Sequence, residues 1–419
     1  MTPPTLTCDV ESLAHGGAGV ARVEGRVVFV DGALPGETVR AEITDQRRDS
    51  LWRARTVEVL VPSPDRTPVS CRAAAAGAGC CDLAYATPGA IRRAKTTVLA
   101  DTLTRIGRIT PPEALAVEPI GDGAGHRWRI RARLGVGTDG APGFRAVGSN
   151  AVVDEPCAAL TPELSAAVAR LDRGGLRPGA ELIAVHDDDG AVHLAETAPV
   201  EHARRRAGGG GSRAAAQRRR AASGRGQQRT LVGAERAVYR VGDRAWELPI
   251  DAFWQAHRGA ADAYARVAAG WLAPVVTGGT VWDLYGGAGV FAGAALDGGA
   301  EAVHVVDTEP PALAAAAAVF GADRVHTHRG AVAPKLLAAL PAPTAVILDP
   351  PRSGAGTEVM DAVVAAAPSA IVHVGCDPAA FARDLGRAAA AGYEPAEIRG
   401  FDAFPLTHHV EAMALLVRG

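Results

Sequence analysis

The sequence predicts an α/β protein: a parallel sheet covered by helices on both faces, preceded by a small β-barrel and a central α+β region. Three observations carry this. From about residue 251, continuous apolar strands alternate with Ala-rich helical segments, the pattern of strands buried on both faces. In the first 62 residues the strands are short and the turns close together, as in a small barrel. Apolar residues make up 48% of the 419 positions, which fills a large core and excludes global disorder.

Charge and targeting narrow the class. The 44 basic and 46 acidic residues leave a net charge of -2, which excludes a globally basic nucleic-acid coat protein but allows local basic patches. No uninterrupted apolar run of about 18 residues exists, so no membrane span is expected. The start, MTPPTLTCDVE, lacks a charged segment followed by an apolar stretch, so the expectation is no secretory signal and a cytoplasmic protein. The six cysteines, Cys8, Cys71, Cys80, Cys81, Cys157 and Cys376, are too few for a disulfide scaffold and are expected as thiols.

Residues 1–62 read as the barrel. Gly16 to Arg22 turns into a strand, Arg26 to Val30 forms another, and Leu34-Pro35-Gly36-Glu37 is a turn. Val39, Ala41 and Ile43 alternate with Arg40, Glu42 and Thr44, the period of a half-buried strand. Thr56 to Val61 is a further strand. Arg47, Arg48, Arg53 and Arg55 cluster at one turn, as a solvated hairpin or an RNA-facing loop.

Residues 63–250 form the central domain. Ile91, Ala94, Val98, Leu99, Leu103 and Ile106 recur at helical spacing. Arg127 to Leu134 alternates arginine with Trp, Ile, Ala and Leu, a strand whose guanidinium row suits phosphate contact or a solvated sheet face. Residues 202–234 carry nine arginines from Arg204 to Arg229, no acid before Glu235, and the Gly208–Gly211 run. They read as a flexible basic loop, a tether for RNA or a tolerated insertion.

Residues 251–419 carry the chemistry. Asp283-Leu284-Tyr285-Gly286-Gly287-Ala288-Gly289-Val290-Phe291 closes a strand with three glycines and opens a helix, so the backbone approaches a ligand closely. Asp307 ends the next strand, where a carboxylate accepts both hydroxyls of an adenosine ribose. Asp349-Pro350-Pro351-Arg352 ends the third strand, and the proline pair projects Asp349 and Arg352 at the same rim. Gly375-Cys376-Asp377-Pro378 follows the fourth, with Cys376 near a helix N-terminus that favours a thiolate. Glu411 precedes the last apolar strand, Ala412 to Val417, and a carboxylate there needs a task or a partner.

These motifs, in this order, resemble the RNA 5-methyluridine methyltransferases. The match rests on Phe253-Trp254-Gln255-Ala256-His257, Asp283 to Phe291, Asp349-Pro350-Pro351-Arg352 with Gly354, and Gly375-Cys376-Asp377-Pro378 with Arg383-Asp384-Leu385. The tail Asp402 to Glu411 matches the family's final motif. The N-terminal module resembles the TRAM domain, including Leu34-Pro35-Gly36-Glu37. The resemblance implies a Rossmann-like class I methyltransferase domain, S-adenosyl-L-methionine as methyl donor, and an RNA substrate. It gives Cys376 as nucleophile, Glu411 as base, and Gln255, Tyr285, Asp307 and Asp349 as contacts to the donor. Arg352 is a candidate for orienting the uracil ring or stabilising its oxygen 4, and His408 and His409 for lining the base pocket. The barrel and the cysteines lean toward 23S rRNA over tRNA, with no membrane and no obligate protein partner.

Many members also hold a four-iron, four-sulfur (4Fe-4S) cluster. Here Cys71, Cys80, Cys81 and Cys157 would be the ligands, with zinc the alternative. Cys81 matches the family's third ligand, the second-ligand position falls on Ala78, and adjacent cysteines are an awkward pair for one cube. Other departures are His257 for the usual Asn, Asp307 for the usual Glu, and Arg329-Gly330-Ala331 where an Asp or Asn usually meets the adenine. Two other classes compete. A nicotinamide oxidoreductase would need G-x-G-x-x-G and has no use for Cys376 with Glu411. A non-enzymatic RNA-binding or assembly factor would not need that pair intact.

Overall fold

The computed structural model describes residues 4–198 and 228–419. Strands β1 (Thr5–Leu13), β2 (Gly19–Val23), β3 (Arg26–Asp31), β4 (Thr38–Arg48) and β5 (Leu51–Val61) close a barrel in the order β1-β2-β3-β5-β4. Alternation turns Val28, Val30, Val39 and Ala41 inward onto Val10 and Ala54. The Leu34-Pro35-Gly36-Glu37 turn has a structural reason. The Glu37 carboxylate is buried, accepts the Leu34 N–H at 2.8 Å and pairs with Arg66 just past the barrel. Gly36 takes φ +81° to make that turn.

The central region opens with α1 (Arg72–Ala75) and α2 (Pro88–Thr102), which runs into a π-helical turn over Leu103–Gly107. Thr87 caps α2 by accepting the Ala90 N–H, with Pro88 as its first residue. Strand β6 (Val117–Pro119) follows. Then β7 (Arg131–Val136), β8 (Pro142–Arg145), β9 (Val152–Val153), α3 (Pro162–Ala169), β10 (Glu181–His186), β11 (Val192–Thr197) and β12 (Gln228–Val232) build a six-stranded sheet in the order β12-β11-β10-β7-β8-β9. The hairpin β13 (Arg236–Val241) and β14 (Arg244–Pro249) completes it.

Two sequence expectations change here. The arginine row is divided: Arg127 and Arg133 are exposed, while Arg129 and Arg131 are part-buried. Arg131 bonds the Tyr239 hydroxyl and the Ile250 and Ala252 carbonyls, and Arg133 pairs with Glu181 at 2.8 Å. Arg129 lies 4.7 Å over the Trp128 ring. Arg131 and Arg133 thus tie segments together. The basic loop also ends earlier than read. Residues 228–232 form β12, and Arg229 is paired with Glu196 at 2.9 Å, while 199–227 lie outside the described residues.

The C-terminal region is the predicted α/β unit. Its strands are β15 (Thr280–Leu284), β16 (Ala302–Asp307), β17 (Val325–Arg329), β18 (Ala345–Leu348), β19 (Ala370–Gly375), β20 (Tyr393–Asp402) and β21 (Glu411–Arg418). Its helices are α4 (Ala260–Leu272), α5 (Val290–Asp297), α6 (Pro310–Phe320), α7 (Pro334–Leu337), α8 (Thr357–Ala365) and α9 (Pro378–Ala389). The eight-stranded sheet runs β17-β16-β15-β18-β19-β21-β20-β6. The first five are parallel. Strand β21 inserts antiparallel between β19 and β20, and β6 of the central region pairs with β20 at the edge. One face packs on α4, α5 and α6 through Val281, Ile347, Val372 and Met413; the other packs on α8 and α9 through Val346, Ile371, Ala414 and Leu416. No described helix is long and apolar enough to cross a membrane.

Candidate active site

The carboxyl ends of the parallel strands gather the predicted residues. Backbone pairing joins β15 to β18 up to Leu284 and Leu348, and the Asp349 N–H donates to the Leu284 carbonyl at 3.2 Å. Asp349 therefore sits beside the glycine turn. Gly375 pairs with Ala412 across β19 and β21, which sets Cys376 and Glu411 next to each other at the end of that ladder. Alternation fixes which way these side chains point. Val281, Val305, Ile347, Val374 and Met413 face α4. Asp283, Asp307, Asp349, Cys376 and Glu411, each two residues from one of them, share that face.

The glycine turn is shaped for a close ligand. Gly287 and Gly289 have φ +54° and +78°, and Tyr285 itself holds a left-handed φ of +60°, a strained setting for a non-glycine residue. A Cβ on Gly286 would come within 2.6 Å of the Asp283 carboxyl carbon. Asp283 accepts the Ala292 N–H at 2.9 Å through one oxygen, and its other oxygen is buried without a partner. Asp307 accepts the Gly287 N–H at 3.0 Å, which closes the turn onto β16. Gln255 lies in the segment leading into α4; among the described residues no hydrogen bond joins its side chain to this rim.

Burial sets the proton inventory. It pushes Glu411 up to about 8, reinforced by Asp349 and opposed by Arg352 and Lys95. It pushes Asp349 up to about 7, with Asp307 adding to the effect, and Asp283 up to about 8. Cys376 rises to about 12, through burial first and then Glu411 and Asp349, with Arg352 opposing. The expected thiolate is therefore reversed in the free protein. The physical reason is burial together with the Glu411 and Asp349 carboxyls beside the thiol; Asp377 caps α9 by accepting the Ala380 N–H at 2.9 Å. Arg352 is exposed on the rim.

The segment 402–411, which presents Glu411, is fastened from outside the α/β unit. Lys95 of α2 is buried and donates to Asp402 at 2.6 Å and to the Phe404 carbonyl at 3.0 Å. Asp82 accepts the His408 N–H at 3.1 Å and also bonds its ring, and the Leu83 N–H donates to the Leu406 carbonyl at 2.9 Å. The His408 and His409 rings meet at 4.1 Å, tilted by 44°, and burial pushes His409 down to about 4, so its ring is neutral near pH 7. From the barrel, His15 reaches Asp377, the neighbour of the nucleophile candidate, at 3.2 Å.

Residues 4–52 match the TRAM domain family, and residues 342–419 match the family described as tRNA (Uracil-5-)-methyltransferase. An RNA methyltransferase of Corynebacterium glutamicum is 37% identical over 99% of this chain and 97% of its own. The 23S rRNA (uracil(1939)-C(5))-methyltransferase RlmD of Halomonas elongata is 34% identical over 97% of this chain and 88% of its own. The chain belongs to the RNA (uracil-5-)-methyltransferase family. In fold, this RNA methyltransferase is similar to the Pyrococcus abyssi tRNA (uracil-54, C5)-methyltransferase, with TM-score 0.69 at 19% identity, over 98% of this chain and 100% of that one.

The methyltransferase also carries a four-sulfur centre. The Sγ atoms of Cys71, Cys80, Cys81 and Cys157 all lie within 4.8 Å of one another and are buried. The adjacent pair reaches one centre by dividing its contacts: Cys80 lies 3.8 Å from Cys71, and Cys81 lies 3.7 Å from Cys157. Ala78, at the family's second-ligand position, instead pairs its backbone with Ala146. Contacts from Cys157, Cys80 and Cys81 hold the Cys71 thiol low, while Cys157 and Cys71 push Cys80 and Cys81 up. Four close sulfur donors of this kind suit a soft-metal centre. Lys95, Asp82 and His15 escaped the sequence reading. Only the position of Lys95 within an apolar helical stripe hinted at a buried ion pair.

Proposed function

We propose that this enzyme transfers a methyl group from S-adenosylmethionine to carbon 5 of a uridine in 23S rRNA, through a covalent adduct of Cys376. The observation that carries the reading is the adjacency of Cys376 and Glu411 across β19 and β21, beside Asp349 and on one face of the sheet. The donor supplies an electrophilic methyl group on a sulfonium centre. The glycine turn, Asp307 and the unpartnered oxygen of Asp283 fit a polar ligand that approaches the backbone closely. Asp307 is the residue for the ribose, and Tyr285, Asp349 and Gln255 complete the donor pocket.

Cys376 loses its proton and its sulfur bonds carbon 6 of uracil, moving the ring π electrons onto carbon 5 and oxygen 4. Arg352 stands at the rim to meet the charge on oxygen 4. Carbon 5 then takes the methyl group as the donor's carbon–sulfur bond breaks. Glu411 removes the carbon 5 proton, the electrons reform the carbon 5–carbon 6 double bond, and the Cys376 thiolate leaves. A paired uracil exposes neither face, so the base enters flipped or unpaired. The barrel, whose His15 touches the residue after Cys376, lies where bound RNA meets this rim. An RNA substrate is consistent with a cytoplasmic enzyme.

Cys71, Cys80, Cys81 and Cys157 would hold the iron-sulfur cluster. When bound, that cluster supplies a covalent tie among three chain segments, one of which continues through Asp82 and Leu83 to the 402–411 segment. Names of relatives support 23S rRNA, while the archaeal enzyme of similar fold acts on tRNA. Methyl transfer from a labelled donor, run separately on ribosomal RNA and tRNA of a strain lacking the enzyme, tests the assignment. Incorporation into 23S rRNA alone is expected; incorporation into tRNA alone overturns the substrate.

A further inference from the structure

Tyr264 of α4 is among the most buried large side chains of the molecule, 1% exposed, and its hydroxyl has no hydrogen-bond partner. Buried phenol hydroxyls are normally paired, because an unpaired one destabilises the fold. The position is not an apolar corner. The ring packs edge-on against Phe401 at 5.3 Å, and Phe401 is the register partner of Glu411 across β20 and β21. Strand alternation turns Glu411 and Cys376 toward α4, the helix that carries Tyr264. Burial, and after it Glu411, Asp349, Cys376 and Asp402 in that order, holds the phenol protonated and so a donor. Phe401 needs only the ring, and among the described residues no group pairs with the oxygen.

We infer that Tyr264 is a positioning residue of the methyl-transfer reaction, whose hydroxyl donates a hydrogen bond to the Glu411 carboxylate when that group ionises to take the carbon 5 proton. This rests on the roles given above to Cys376 and Glu411. A neutral Glu411 has less need of the donor, which is consistent with a free protein in which the hydroxyl stays unpaired. Four other charged or titratable groups bear on Glu411: Asp349 and Cys376 on neighbouring strands, Arg352 on the rim and Lys95 on α2. Donation to the ionised form favours that form and aims it.

Tyr264→Phe removes one oxygen and keeps the ring on Phe401. The thermal midpoint, the single-turnover rate of methyl transfer to total RNA and the pH dependence of that rate are measured on the wild type and the variant. The variant is expected to melt at or above the wild-type temperature, to lose about tenfold in rate, and to show its acid limb at higher pH. An unchanged rate and limb overturn the inference. So does a rate loss with an unmoved limb or a lowered melting temperature, the mark of a purely structural tyrosine. A wild type that methylates no RNA at any pH defeats the functional reading itself and is distinguished by that control.

Discussion

At the scale of single residues, the account turns on where protons sit. Glu411 is ordinarily a group of about 4.5 and is pushed up to about 8 by burial. Two consequences follow with defined signs. As a base it works only when ionised, so kcat/KM of the free enzyme is expected to fall as pH drops through about 8. In folding the direction reverses. Between 4.5 and about 8 the folded chain keeps a proton that the unfolded chain has released, so stability falls as pH rises through that window. Glu411→Gln removes this contribution, and denaturation at the two ends of the window is expected to show a shallower loss than the wild type. The same variant tests the chemistry. Without a base the methylated adduct has no exit, so Glu411→Gln is expected to accumulate covalent RNA on Cys376, visible as a shifted band that Cys376→Ala lacks. Rapid turnover by Glu411→Gln contradicts the role. These residues were legible in the sequence because each ends an apolar strand. Their ionisation was not: it is set by burial and by the carboxyls that the fold gathers around them.

At the scale of elements, the 402–411 segment is a loop held by other parts of the chain. Lys95→Met removes the close partner of the buried Asp402 carboxylate and leaves it only Arg92 at 4.0 Å, which is expected to cost up to about 3–5 kcal/mol. Lys95→Met with Asp402→Asn is expected to recover most of that stability in urea unfolding, since both charges then leave together. Failure of the double variant to recover shows that the Phe404 carbonyl contact dominates. The cysteine centre acts on the same segment through Asp82 and Leu83. Cys81→Ser is expected to lose bound iron and sulfide and to raise hydrogen exchange across 403–409. Full metal content with unchanged protection removes that coupling. The barrel strands and β15, β16, β18 and β19 were readable because their apolar periods are clean. Strands β17 and β20 were not: β17 carries His326 and His328 on one face, and Pro395 with a bulge interrupts β20. The internal partners of Arg131 were not readable because alternating arginine looks the same whether it meets solvent, phosphates or carbonyls. The adjacent cysteines misled because a turn lets neighbouring side chains diverge and still reach one centre.

At the scale of the whole molecule, the active site is an assembly of all three regions. The α/β unit supplies Cys376 and Glu411, the central region clamps the 402–411 segment, and the barrel brings His15 against Asp377. The sequence made each region recognisable, since strand periods and motif order are local. It did not make their junctions recognisable, because Lys95 with Asp402 and Asp82 with His408 are contacts between distant stretches of chain. The covalent step is the centre of this account, and one measurement addresses it directly: intact mass of the enzyme after incubation with S-adenosylmethionine and RNA substituted with 5-fluorouridine. Fluorine at carbon 5 cannot leave as a proton, so the methylated adduct should remain attached. The account predicts a stable enzyme–RNA species that carries one methyl group and is absent in Cys376→Ala. Methylation of normal RNA by an enzyme that never traps on the fluorinated RNA would contradict it.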